Sequence, residues 1–251
     1  MADHGHARDG SDGHPDGVPV PRPDPFRDGV PAGALRDVLL RSRELGFLGP
    51  GDVDAHVQHA MAFLDGLPEP QESSAPDASV GDPGPAADLQ LLDLGAGGGV
   101  PGLVLAAHRP DLVVVLLDAA QKRTDFLRWA VEELELDRRV SVVRGRAEEL
   151  AREPELRGAF RVVTARSFGP PAVTAECAAG FLAGVGSRLL VSEPPGGDPD
   201  RWPAAALEKM GLRPGDTWRR DGATVRRLDV IAPCPDALPR RVGVPARRPA
   251  F

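Results

Sequence analysis

The stretch Leu91-Leu92-Asp93-Leu94-Gly95-Ala96-Gly97-Gly98-Gly99-Val100-Pro101-Gly102 constrains the fold of this chain more than any other. A short apolar run enters a turn built almost wholly of glycine, and Pro101 follows at the place where a helix would begin, the helical position proline tolerates best. Strand, tight turn and helix in that order open a βαβ unit, and glycines there let the main chain turn sharply and let a ligand approach it closely. Spacing narrows the ligand. A nicotinamide fingerprint wants its third glycine at position 100, but that residue is Val and the glycine falls at 99, so the pattern is Asp-x-Gly-x-Gly-x-Gly. An acid two residues before the first glycine suits a ligand with a cationic amino-acid end better than one with a pyrophosphate. S-adenosylmethionine has such an end, which makes Asp93, Gly95, Gly97 and Gly99 candidate contacts for it. A glycine turn that merely joins strand to helix is the simpler alternative.

The texture after Leu89 extends this unit into a sheet. Short β-rich runs at Leu89-Leu94, Val113-Asp118, Val140-Arg144, Phe160-Arg166 and Arg188-Glu193 alternate with helical patterns near Pro101-His108, Gln121-Leu134, Ala147-Arg152, Ala172-Leu182 and Arg201-Met210. Near-continuous apolar strands in such alternation predict an α/β fold, a mostly parallel twisted sheet with helices on both faces. Two last runs, Asp216-Arg219 and Thr224-Ile231, flank Asp221-Gly222 and predict an antiparallel C-terminal hairpin. Asp118 would end the second strand, where an acid accepts hydrogen bonds from ribose hydroxyls or else caps the next helix. Ala147 and Glu148 fall at the turn after the third strand and could bracket an adenine edge. Arg166 ends the fourth strand in the crevice where open sheets bind ligands, and is the candidate for organising the cofactor carboxylate or the target.

Composition divides the chain. Of its 29 Gly and 27 Pro, many fall in residues 1–32 and 68–88, which read as a disordered leader and an acidic Pro-rich linker. Between them, 33–67 carries two helical patterns, Leu35 to Leu45 and Val53 to Leu64, the second opened by Asp52 as N-cap. His56 and His59 lie on or beside its apolar stripe and are assigned no chemistry. Residues 89–237 form the cofactor-binding domain and 238–251 a basic tail with Arg240, Arg241, Arg247 and Arg248. Residues 1–88 hold 6 Lys+Arg against 16 Asp+Glu, and the rest 24 against 21, so the acidity belongs to the front of the chain. The 2 cysteines make no disulfide framework or metal-ligand spacing, and His4, His6 and His14 have nothing to fix their geometry. With no apolar run of membrane length, the expectation is a cytoplasmic protein without metal or membrane partner, in monomeric form.

The pieces "LLDLGAGGGVPGLVLA", "DAAQKRTDFL", "RGRAEE" and "VVTARSF" together resemble the GidB family, the bacterial methyltransferases that modify a guanine at N7 in small-subunit ribosomal RNA. The resemblance covers roughly Leu89 to Glu193. It implies a Rossmann-like class I methyltransferase fold, S-adenosyl-L-methionine as cofactor, 16S ribosomal RNA in the small subunit as partner, and cofactor contacts at Gly95, Val100, Asp118, Ala147, Glu148 and Arg166. Two departures stand out. "RSRELGFLGPGD" occupies the place of the family's Asn-Leu-Thr element, and Val191-Ser192-Glu193-Pro194 that of its Leu-Lys-Gly. A Glu for a basic residue near RNA would repel phosphate.

The chemistry fits guanine N7 on its own terms. The Asn/Asp-Pro-Pro-aromatic motif used on exocyclic amines is replaced by Thr164-Ala165-Arg166-Ser167, and Cys177, the nucleophile that pyrimidine carbon methylation would need, lies in an apolar helical run. Guanine N7 has an in-plane lone pair and no proton, so an enzyme there has only to align it with a methyl donor and exclude water. Phe168 could stack on a base or pack in the core, Trp129 is expected in the core, and Arg138, Arg139, Arg144 and Arg146 could touch phosphate or simply solvate the surface. Competing readings are a methyltransferase of a small molecule or another RNA, a non-catalytic cofactor-binding module, and an NAD-linked oxidoreductase.

Overall fold

The computed structural model describes residues 30–69 and 89–251. The expected leader and linker, and His4, His6 and His14 with them, lie outside the described residues except at 30–32, 68 and 69.

Seven strands form one sheet in the order β3-β2-β1-β4-β5-β7-β6. They are β1 (Leu89–Leu94), β2 (Leu112–Asp118), β3 (Val140–Arg144), β4 (Val162–Ala165), β5 (Arg188–Glu193), β6 (Leu212–Arg220) and β7 (Ala223–Val230). The first five are parallel, while β7 runs antiparallel beside β5 and pairs with β6 in a hairpin. Leu212 to Pro214 also join that hairpin, which is longer than the spacing predicts and passes an irregularity between Pro214 and Thr217.

Side chains alternate across the strands and so build two cores. Leu91, Leu116, Val162, Leu190 and Val225 face one layer, and Leu92, Leu117, Val163, Leu189 and Leu228 the other. Against the first layer pack α1 (Ala32–Glu44), α2 (Val53–Leu64), α3 (Gly102–His108) and α4 (Gln121–Glu133). Against the second pack α5 (Ala147–Leu150), α6 (Pro171–Ala179) and α7 (Ala204–Glu208). Asp52 caps α2 by accepting from the Asp54 N–H. Leu39, Val53, Ala60 and Phe63 are fully buried in the same core as β1 and β2, so the two N-terminal helices are part of the sheet's cover.

Residues 238–251 also lie against the domain. The Arg240 guanidinium and backbone N–H bond the Glu176 carboxylate, which is fully buried in α6. Arg152 and Arg157 donate to carbonyls of Pro239 and Leu238, and α8 (Val244–Arg247) follows. Two further expectations are corrected. Trp129 is 40% exposed beside Phe126, because the apolar face of α4 ends at Phe126, Leu127 and Ala130. Arg139 points inward, donating to the Ala106 and Arg109 carbonyls, and is unavailable to phosphate.

Strand order reverses between β1 and β4, so chain leaving β1 goes to one side and chain leaving β4 to the other. A crevice opens there at the carboxyl ends of the strands. Register keeps those ends level: Leu94 pairs with both Leu117 and Ala165, and Asp118 with Arg144.

Candidate functional site

The glycine turn is held from three sides. Asp93 is buried at the end of β1, where Oδ2 accepts from the Gly102 N–H at 2.8 Å and Oδ1 from the Thr164 hydroxyl at 2.9 Å. Burial raises its carboxyl to about pKa 6 against those two hydrogen bonds. Both oxygens serve the protein, tying α3 and β4 to the turn, which gives Asp93 a positioning role. Gly95, Gly97 and Gly99 all have positive φ, and a Cβ at Gly95 would stand 2.6 Å from the Phe168 ring. Gly98 allows a different approach: Ser42 of α1, fully buried, donates to its carbonyl at 2.9 Å. Nothing local in the sequence marks Ser42, because its partner lies 56 residues away.

Asp118 closes the other side. Its Oδ2 accepts from the Gly97 N–H at 3.0 Å and Oδ1 from the Ala120 N–H at 2.8 Å, with Arg123 3.5 Å away. Asp118 thus ties the glycine turn to the residue preceding α4 but does not cap that helix, whose N-cap position is Ala120 with no side-chain cap bond. Each oxygen keeps a second lone pair for a hydroxyl.

Gly95, Asp118, Ala147 and Glu148 line one cavity of about 190 Å³, together with Arg123, Arg146 and Phe168. Asp93, Gly97, Gly99, Val100 and Arg166 do not line it. Val100 has its side chain in the core beside Leu103, which leaves only its backbone near the turn. Glu148 Oε1 accepts from the Gly243 N–H at 3.0 Å, so the C-terminal segment reaches the rim of this cavity.

Arg166 follows β4 and is half-buried. Its Nη2 donates to His56 Nδ1 at 2.6 Å, and His56 Nε2 in turn donates to the Gly49 carbonyl at 3.1 Å. Burial lowers the guanidinium pKa, with Asp93 opposing. Arg166 thus braces α2 against the strand ends, a link that spacing could not reveal.

Phe168 separates the first cavity from a second of about 380 Å³ that it also lines, with Ser167, His59, Glu193, Arg201 and Trp202. Ser167 has φ +55, a strained value for a residue other than glycine, and it too borders both cavities. Glu193 is buried, its Oε2 paired with Arg201 at 2.9 Å and its Oε1 accepting from the Trp202 indole at 2.5 Å. Its charge is spent inside the protein, so the phosphate repulsion expected from the sequence does not arise. Cys177 is buried in α6, and burial pushes its thiol pKa up, away from nucleophilic use.

Comparison with known proteins places the chain. A family model described as GidB, rRNA small subunit methyltransferase G, matches residues 83–192. The ribosomal RNA small subunit methyltransferase G of Moorella thermoacetica is 36% identical over 167 residues, covering 64% of this chain and 69% of that protein. The protein of the same name from Roseiflexus sp. is 41% identical over 171 residues, covering 65% and 71%. With the family model spanning the glycine turn and the first cavity, and relatives above 30% identity covered to two thirds or more of their length, this chain belongs to the GidB family, the ribosomal RNA small subunit methyltransferases G.

Proposed function

We propose that this protein transfers a methyl group from S-adenosylmethionine to N7 of a guanine in 16S ribosomal RNA of the small subunit, acting in the cytoplasm as a monomer. The observation that carries the reading is the first cavity: an acid at a strand end, a glycine turn and the Ala147–Glu148 turn converge on one space at the sheet's switch point. This set fits the nucleoside part of the cofactor. Asp118 has lone pairs left for ribose hydroxyls, and Glu148 has one carboxylate oxygen without a partner among the described residues for an adenine edge. Bound there, the cofactor supplies an electrophilic methyl on a sulfonium.

The chain's own residues do the rest by placement. Asp93 and Ser42 fix the glycine turn from its two ends, and Phe168 forms the wall between cofactor and substrate spaces. Arg166 holds α2 against the strand ends, and with α2 the His59 wall of the second cavity. A nucleophile with an in-plane lone pair and no proton needs no general base, so alignment supplies most of the acceleration. Arg146, on the cavity lining and exposed, with no ion pair among the described residues, suits phosphate contact. No helix among the described residues is long and apolar enough to cross a membrane.

The test compares N7-methylguanosine in 16S RNA from a strain lacking this gene and its parent, and adds purified protein to the unmethylated small subunits. Loss of one N7-methylguanosine and its restoration in vitro are expected. Unchanged methylation with no transfer in vitro sinks the reading in favour of another substrate.

A further inference from the structure

The second cavity differs in character from the first. Phe168, Trp202, Pro194 and Pro195 give it flat apolar walls, and its one carboxylate, Glu193, is neutralised by Arg201 and by the Trp202 indole. Thr174, also on its wall, donates its hydroxyl to the Gly169 carbonyl. A space lined this way suits an uncharged planar heterocycle, because a phosphate would find no unpaired cation and a flat ring would find stacking surfaces. It shares Ser167 and Phe168 with the first cavity, so a ring placed there would adjoin a cofactor held in that cavity.

One polar atom in this lining is unsatisfied. His59, one of the lining residues, has its Nε2 buried without a hydrogen-bond partner, and no other lining residue has such a side-chain atom among the described residues. The contrast with His56, one turn earlier on α2, is informative. Both ring nitrogens of His56 are engaged, by Arg166 and by the Gly49 carbonyl. A buried polar atom left orphaned costs roughly 1–3 kcal/mol, and such atoms in native proteins are few and call for a ligand or strain to explain them.

Resting on the proposed function, we infer that the second cavity receives the target guanine as a base swung out of its stack, with Phe168 against its face and His59 Nε2 hydrogen-bonded to its edge. His59 is then a recognition residue supplied by the N-terminal helical pair, the part of the chain that departs from the family pattern. Electrostatics agree with this use. Burial, with Arg166 and His56 nearby, lowers the His59 pKa to about 4, so the ring stays neutral at physiological pH. A neutral ring can bond the base without repelling the positive charge that guanine acquires when N7 is alkylated. Extrusion is the general answer where the target atom is otherwise shielded in a stack.

The experiment measures kcat and KM for methyl transfer to unmethylated small subunits by the wild type, His59→Gln and His59→Leu, alongside calorimetric affinity for S-adenosylhomocysteine. Expected is a fall in kcat/KM of about tenfold or more for His59→Leu, the worth of one lost buried hydrogen bond, partial recovery in His59→Gln, and cofactor-product affinity within about twofold of wild type in both. Wild-type rates in His59→Leu overturn the inference and leave the proposed function standing. A loss of product affinity parallel to the loss of rate also overturns it, since that is what a merely structural histidine would give. A wild type that transfers nothing fells the proposed function and this inference together. Should His59→Leu fail to fold, photocrosslinking decides with the wild type: 6-thioguanosine at the target position should attach to residues 53–64 or to Phe168, and attachment confined elsewhere overturns the inference.

Discussion

Asp93 and Asp118 end neighbouring strands and look alike in the sequence, yet the residues around them give them different tasks. Asp93 has both oxygens committed to α3 and β4 and is sealed from solvent. Asp118 is bonded to the turn and to the start of α4 but borders the open cavity. Replacing each by alanine should separate these roles. Asp118→Ala is expected to weaken S-adenosylhomocysteine binding by about 10- to 100-fold, the loss of one or two charge-assisted hydrogen bonds, with a smaller effect on melting. Asp93→Ala leaves the Gly102 N–H and the Thr164 hydroxyl unpaired in the core and should cost about 2–3 kcal/mol of stability. Calorimetric titration and thermal melting of both variants check this; equal effects on binding and stability in the two would contradict the division.

At the scale of elements, the C-terminal segment is docked in part through a buried charge. Glu176 is fully buried in α6, and Arg240 satisfies both of its oxygens. Removing one partner of such a pair leaves an uncompensated buried charge, which typically costs about 3–5 kcal/mol. Arg240 is 32% exposed and water screens part of that, so Arg240→Ala is expected to destabilise by about 2 kcal/mol. Because Gly243 bonds Glu148 on the cavity rim, the same variant should also bind S-adenosylhomocysteine less tightly. Denaturant melts and calorimetry provide the readouts, and an unchanged midpoint would show that the segment is not docked through this pair. The arginines that suggested a solvated tail are thus partly structural, a distinction that composition does not carry.

For the whole molecule, the half-buried His59 and the buried Asp93 oppose each other in one pH window. His59 is held neutral, with its pKa lowered from 6.5 to about 4, so the stability it contributes is full above about 6.5 and is lost as pH falls toward 4. Asp93 is raised from 3.8 to about 6, so its burial destabilises above about 6 and the penalty is relieved as pH falls toward 4. The two slopes have opposite sign and offset each other in the wild type. In His59→Gln only the Asp93 slope remains. The melting advantage of wild type over this variant should therefore shrink as pH is lowered from 7 to about 4.5, as followed by scanning calorimetry. An advantage independent of pH would mean that the imidazole's charge is not excluded by burial.

The sequence alone determined the sheet, the turn and the candidate cofactor-site residues that belong to strand ends. These are local properties: apolar runs of strand length, glycines where positive φ is required, and acids at the last residue of a strand. Gly95, Asp118, Ala147 and Glu148 were legible for that reason and do meet around one cavity. Only the tertiary structure decided what distant residues do. Asp93 turned inward because Thr164 and Gly102 come together beneath it, and Glu193 lost its repulsive charge because Arg201 and Trp202 fold back over it. His59 looked like one more residue on an apolar stripe until α2 packed across the strand ends and set it on the second cavity without a partner. Whether a buried polar atom is satisfied depends on which groups the fold brings within about 3 Å of it, and that distance is not written in the spacing of residues along the chain.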